Sequence, residues 1–156
     1  MALSLTIATE LTAVSAAKLQ EALDSTAEAA KTDAAGVVSL ALVDEHTSRQ
    51  LNQKFAGNDY ATDVLSFNYF EGESKSPSES DVLGEIVICL AVAQRQALEH
   101  DNSLEAELIM LFVHGVLHLL GYDHKGSSRA SFSALQDDIM NKLKLETRNI
   151  FDGHIY

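Results

Sequence analysis

The sequence is poor in cysteine and in positively charged residues. Its one cysteine, Cys89, stands in the apolar run 86–90, so a disulfide within the chain and a cysteine metal cluster are both excluded. The 156 residues contain 11 Lys and Arg against 23 Asp and Glu, which is a formal net charge of −12. This balance excludes a generic basic clamp for nucleic acid, so any RNA or DNA binding must be local.

Long apolar runs and a basic N-terminal segment are also missing. No apolar stretch approaches the roughly 18 residues of a membrane span, and no Lys or Arg precedes Lys18, so we expect neither a membrane helix nor a secretory signal. A cytoplasmic protein is therefore expected, and a lone cysteine suits a reducing compartment. The length and the content of 46% hydrophobic and 22% charged residues predict one globular domain, residues 1–156.

The hydrophobic pattern predicts an α+β domain of four strands and about five helices. Period-2 alternation or short apolar runs predict strands at 3–9, 37–43, 64–67 and 83–90. Helical spacing predicts helices at 11–30, 44–55, 91–100, 103–120 and 127–145, the fourth introduced by the capping pair Asn102 and Glu105. Because the strands lie in the first 90 residues, we expect a small mixed sheet packed against a helical layer.

The most informative segment is the histidine block 114–124, His-Gly-Val-Leu-His-Leu-Leu-Gly-Tyr-Asp-His. His114 and His118 are four residues apart, so on a helix both imidazoles lie on one face and reach a single ion. Gly121 can end that helix in the left-handed conformation, which lets the chain turn back and deliver His124. Three imidazoles without a fourth protein ligand predict a catalytic metal site with one position open for water or substrate.

The same block constrains the ion and its chemistry. Imidazole ligands suit zinc, the ion we expect, as well as nickel, cobalt and copper, so one divalent ion is predicted without its identity being decided. The histidine spacing equals that of the metzincin peptidases, but Gly115 stands where those enzymes carry their general-base glutamate. Since glycine cannot accept a proton, peptide hydrolysis is disfavoured.

The histidine block closely resembles the His-Gly-x-Leu-His-Leu-x-Gly-Tyr-Asp-His signature of the YbeY-type endoribonucleases, which are bacterial rRNA maturation factors. Two further blocks agree with that family, one from Leu51-Asn52 through the segment 62–67 and one at 83–88. The resemblance covers most of the chain. It implies a zincin-like α+β fold and metal-dependent cleavage of single-stranded RNA in 16S rRNA maturation and ribosome quality control, with the small ribosomal subunit or its proteins as partner.

The resemblance also implies site residues. The metal would be held by His114, His118 and His124. Where the family carries an aromatic-Arg-Gly segment, this chain has Ala56 in place of the arginine. A guanidinium is the natural partner of a phosphate whose charge grows in the transition state, and Arg49, two helical turns before Ala56, is the candidate substitute.

One acidic residue is a further candidate for the site. Glu107 lies seven residues before His114, about 20° from its face, so its carboxylate is expected near the ligands or the substrate cleft, with an exposed or capping role as the alternative.

Two other functions stay open at this point. One is another zincin-like metal hydrolase, and the other is a non-catalytic metal-binding ribosome assembly factor, which Ala56 and the net charge of −12 favour.

Overall fold

The structure, a computed structural model, describes residues 3–72, 74–122 and 128–145, with only the backbone of 128–130. This part of the chain forms four strands and five helices, in the order β1 (Leu3–Ile7), α1 (Ala16–Ala29), β2 (Gly36–Val43), α2 (Glu45–Ala56), β3 (Val64–Asn68), β4 (Val82–Cys89), α3 (Leu90–His100), α4 (Leu104–Leu119) and α5 (Ser128–Lys142). The predicted α+β fold is confirmed, and most element boundaries agree to within one or two residues.

The four strands form one mixed sheet in the order β1-β2-β4-β3. β2 pairs in parallel with both β1 and β4, whereas β3 runs antiparallel to β4 and forms one edge. Parallel neighbours need a crossover, and α1 supplies the one between β1 and β2. The chain thus builds the predicted small mixed sheet.

Helix α4 is the central helix of the domain. Its residues 106–117 are all buried, and it packs against β3, β4, α1, α3 and α5. A helix that is apolar on nearly every side needs such neighbours to cover it. Gly115 lets α4 approach the sheet, since a Cβ at this position would lie 2.9 Å from Ile86 Cγ2 and 3.0 Å from Ser66 Oγ.

One predicted helix start and one predicted helix cap are wrong. The first helix begins at Ala16 rather than residue 11, because Ser15 is its N-cap and accepts a hydrogen bond from the Lys18 amide at 3.2 Å. The N-cap of α4 is Ser103, whose Oγ accepts from the Ala106 amide at 3.1 Å. The predicted capping pair is thus one residue out of place: the partners of Asn102 and Glu105 are Glu107 and Lys18.

Within the described residues, no helix combines the length and the apolar character needed to cross a membrane.

Cys89 is a free thiol buried at the end of β4, where it contributes to the apolar core.

Candidate metal centre

The two histidines of α4 lie together, as their spacing predicts. The ring centroids of His114 and His118 are 5.0 Å apart, with an angle of 67° between the planes. His114 is 1% exposed, whereas His118 is half-buried. The pair therefore lies at the edge of the core, with His114 inside it and His118 in part reaching solvent.

Helix α5 forms the wall behind these histidines. The Phe132 ring centroid is 5.0 Å from that of His114 and 5.5 Å from that of His118. One helical turn further on, Gln136 places its Oε1 atom 3.2 Å from His114 Nδ1, and both α5 side chains are buried. Two residues one turn apart on α5 thus contact two residues one turn apart on α4.

Gln136 is a residue of this site that is not predicted from the sequence. A signal was present, because a polar residue stands on the face of α5 that also carries the buried residues Phe132, Ile139 and Met140. A buried amide needs hydrogen-bond partners, so such a residue indicates a specific polar contact. Periodicity does not reveal which side chain on which helix supplies that contact.

The C-terminus of α4 turns back at glycine, as predicted. Gly121 has a φ of +95°, its amide donates to the His118 carbonyl at 3.0 Å, and the Tyr122 amide donates to the Leu117 carbonyl at 3.0 Å. This pair of bonds is a Schellman motif, which reverses the chain direction at a helix end. The predicted third ligand, His124, comes two residues later and lies outside the described residues.

Strand β3 holds the last turns of α4 in place. Ser66 Oγ donates to the Gly115 carbonyl at 3.2 Å, and Asn68 Nδ2 donates to the Leu119 carbonyl at 3.0 Å. The Leu119 carbonyl is among the last four of the helix, which have no partner within it, so Asn68 satisfies an otherwise free acceptor. These two bonds anchor the segment that carries His114 and His118 to the sheet.

Glu107 is buried near the start of α4, far from the histidine pair. Its Oε1 atom lies 3.2 Å from Asn102 Nδ2 and 3.4 Å from His100 Nδ1, so the carboxylate joins α4 to the end of α3. Seven residues of helix separate it from His114, a distance of about 10 Å along the axis. The described contacts of Glu107 are structural, and its catalytic role stays a prediction.

Arg49 is held by an ion pair on the surface of α2. Its Nε and Nη2 atoms donate to the two carboxylate oxygens of Asp59 at 2.7 and 3.0 Å, and the two side chains are 58% and 55% exposed. These hydrogen bonds raise the pKa of Arg49 and lower the pKa of Asp59. To reach a phosphate, Arg49 would have to leave Asp59, and its role also stays a prediction.

The last turn of α2 presents an aromatic ring and a cation to solvent. Phe55 is 58% exposed, contacts Phe67 edge-on at a centroid distance of 5.2 Å, and lies under Lys54 Nζ at 5.1 Å. Ala56 ends the helix, and Gly57 follows with a φ of +75°. The arginine of the family pattern would stand beside this aromatic residue.

The chemistry of the donor set fits a divalent ion. Among residues 3–72, 74–122 and 131–145, no three His, Cys, Asp or Glu side chains come together as a ligand group, so the described part of the chain supplies the pair His114 and His118. The Gln136 carbonyl oxygen can only accept a hydrogen bond, so this contact is a hydrogen bond when His114 Nδ1 carries the hydrogen, and Nε2 is then the nitrogen with the lone pair that an ion needs. A ligating imidazole held in this way is typical of protein metal sites.

Comparison with known proteins agrees with this architecture. The sequence profile of the family described as Endoribonuclease YbeY matches residues 6–144. The chain is 47% identical over 109 residues to the Endoribonuclease YbeY of Ureaplasma parvum serovar 3, covering 69% of this chain and 67% of that protein. It is 40% identical over 129 residues to the Endoribonuclease YbeY of Macrococcus caseolyticus, covering 81% and 78%.

A solved structure extends the agreement to the fold. The solution structure of TM1509 from Thermotoga maritima superimposes with a TM-score of 0.56 at 27% sequence identity and covers 91% of each chain. The profile match includes the sheet as well as the helix that carries His114 and His118. This chain therefore belongs to the YbeY endoribonuclease family.

Proposed function

We propose that this protein is a metal-dependent endoribonuclease that cleaves single-stranded RNA during 16S rRNA maturation. The observation that carries the proposal is the imidazole pair of His114 and His118, oriented from α5 and followed by a glycine turn toward His124. Membership of the YbeY family supports the reaction class. The small ribosomal subunit is the proposed partner and the cytoplasm the proposed location.

The imidazole nitrogens of His114, His118 and His124 would hold the ion, with zinc the expected one, and a bound ion supplies a Lewis acid at the scissile phosphate. Phe132 covers both described imidazoles on the core side and excludes water there. His118 is half-buried, so one of the two described imidazoles reaches solvent. An RNA substrate would approach the ion past this exposed side chain, while Phe132 covers the core side.

The end of α2 supports a single-stranded substrate. Exposed aromatic rings stack on unpaired bases, and a neighbouring lysine attracts the phosphate backbone. Phe55 and Lys54 supply these two groups in contact with each other. A local site of this kind is compatible with a chain whose net charge is −12.

The test is cleavage of one RNA sequence in single-stranded and duplex form by zinc-loaded protein. We expect cleavage of the single strand alone, loss of cleavage with a chelator, and loss of both zinc binding and cleavage in His118→Ala. His46→Ala is the matched control, since His46 is an exposed histidine at the start of α2. If the protein binds zinc and the small ribosomal subunit but leaves single-stranded RNA intact, a non-catalytic assembly factor replaces the proposed nuclease.

A further inference from the structure

The geometry points to Gln136 as a positioning residue that selects the tautomer of His114 and so presents the Nε2 atom to the metal. The side chain of Gln136 is on α5, is 2% exposed, and places Oε1 at 3.2 Å from His114 Nδ1. This inference rests on the metal site of the proposed function, but it concerns a state of His114 that exists before any ion binds.

A neutral imidazole has one nitrogen that donates and one that accepts. With the Gln136 carbonyl oxygen against Nδ1, the tautomer with hydrogen on Nδ1 makes a hydrogen bond, whereas the other tautomer makes one only if the amide turns over and donates from its NH2 group. The contact is buried, and an unmade hydrogen bond costs most where water cannot replace the partner. Gln136 therefore favours the tautomer in which Nε2 is ready to ligate.

The ring orientation is restricted from the same helix. Phe132 contacts both imidazoles, at centroid distances of 5.0 Å to His114 and 5.5 Å to His118. A half turn of the His114 ring would place Cδ2 instead of Nδ1 beside Gln136 and would lose this hydrogen bond. Helix α5 thus controls both the protonation site and the direction of the ligand.

The choice of an amide has a chemical consequence. A glutamine carbonyl orients the imidazole without adding a charge, whereas a carboxylate at the same place would orient it and also increase the basicity of Nε2. Removing a hydrogen-bond partner behind a metal ligand costs about 10- to 100-fold in metal affinity. The same range is expected for the loss of the Gln136 acceptor.

The test combines two variants at this position with a matched control. Gln136→Met removes the acceptor at similar side-chain length, and Gln136→Glu retains an acceptor oxygen. Gln96→Met is the control, because Gln96 is a buried glutamine on α3. The readouts are the ¹⁵N chemical shifts of the His114 ring in the metal-free protein and the Kd for Zn²⁺ measured by competition with a chromophoric chelator.

We expect hydrogen on Nδ1 in the parent, in Gln136→Glu and in Gln96→Met. In Gln136→Met, we expect a shift toward hydrogen on Nε2 and a Kd for Zn²⁺ that is about 10- to 100-fold weaker. The glutamate variant should bind Zn²⁺ at least as tightly as the parent.

Two results overturn the inference. One is hydrogen on Nε2 in the metal-free parent, which decides the question even if Gln136→Met does not fold. The other is a folded Gln136→Met that keeps hydrogen on Nδ1 or binds Zn²⁺ with unchanged Kd. A parent that binds no Zn²⁺ contradicts the proposed function instead, while the ring shifts still report whether Gln136 selects the tautomer.

Discussion

Replacing Gly115 with alanine tests how closely α4 must approach the sheet. The added Cβ would lie 2.9 Å from Ile86 Cγ2, 3.0 Å from Ser66 Oγ and 3.2 Å from Ile86 Cδ1. Ile86 is fully buried, so any movement of its side chain must be accommodated by neighbours in the close-packed core. Either α4 must shift away from the strands, or Ile86 must leave its preferred rotamer.

The expected magnitude is the balance of two effects. Overpacking of this kind costs about 1 to 3 kcal/mol, and the fully buried neighbour points to the upper part of that range. Alanine in a helix interior gains about 1 kcal/mol over glycine. We therefore expect Gly115→Ala to lower the free energy of unfolding by about 1 to 2 kcal/mol.

The assay is urea denaturation of the parent, of Gly115→Ala, of Ile86→Ala and of the double variant. Because Ile86→Ala removes the atoms that the new methyl group would meet, the two substitutions should couple, and the double variant should be more stable than the sum of the single effects predicts. An increase in stability of about 1 kcal/mol in Gly115→Ala, with additive effects in the double variant, would refute the reasoning.

Three further predictions concern cleavage, specificity and capping. At equal metal occupancy, Ala56→Arg should raise the initial rate of single-stranded RNA cleavage by about tenfold or more, because it restores a guanidinium for the phosphate. Arg49→Ala should lower the rate of the parent. An unchanged rate in Ala56→Arg would show that the missing arginine is not limiting. Zinc-loaded protein should not digest casein, since no glutamate occupies the general-base position beside the histidines; proteolysis that disappears in His118→Ala would contradict this. Ser103→Ala should destabilise the protein by about 1 kcal/mol in thermal or urea unfolding, through loss of the bond from Oγ to the Ala106 amide, and an unchanged midpoint would mean that this cap contributes nothing.

The sequence by itself determined the features that depend on residues close together in the chain. Alternation and helical spacing located all four strands and five helices of the described residues. The interval between His114 and His118 placed both rings on one face, and Gly121 marked the turn at the end of α4. These predictions held because backbone sterics and helical geometry act over a few residues. The predicted cap of α4, Asn102, is one residue before the N-cap of the structure, Ser103, and both residue types are good caps.

Only the tertiary structure decided what surrounds those features. Gln136 lies 22 positions after the histidine that it contacts. Asp59, which follows the end of α2, forms an ion pair with Arg49. The buried carboxylate of Glu107 contacts His100 and Asn102, a pair of partners that its helical angle to His114 does not reveal. Periodicity shows which face of a helix is buried, but the partner of that face depends on how distant elements pack, and packing is set by the whole core at once.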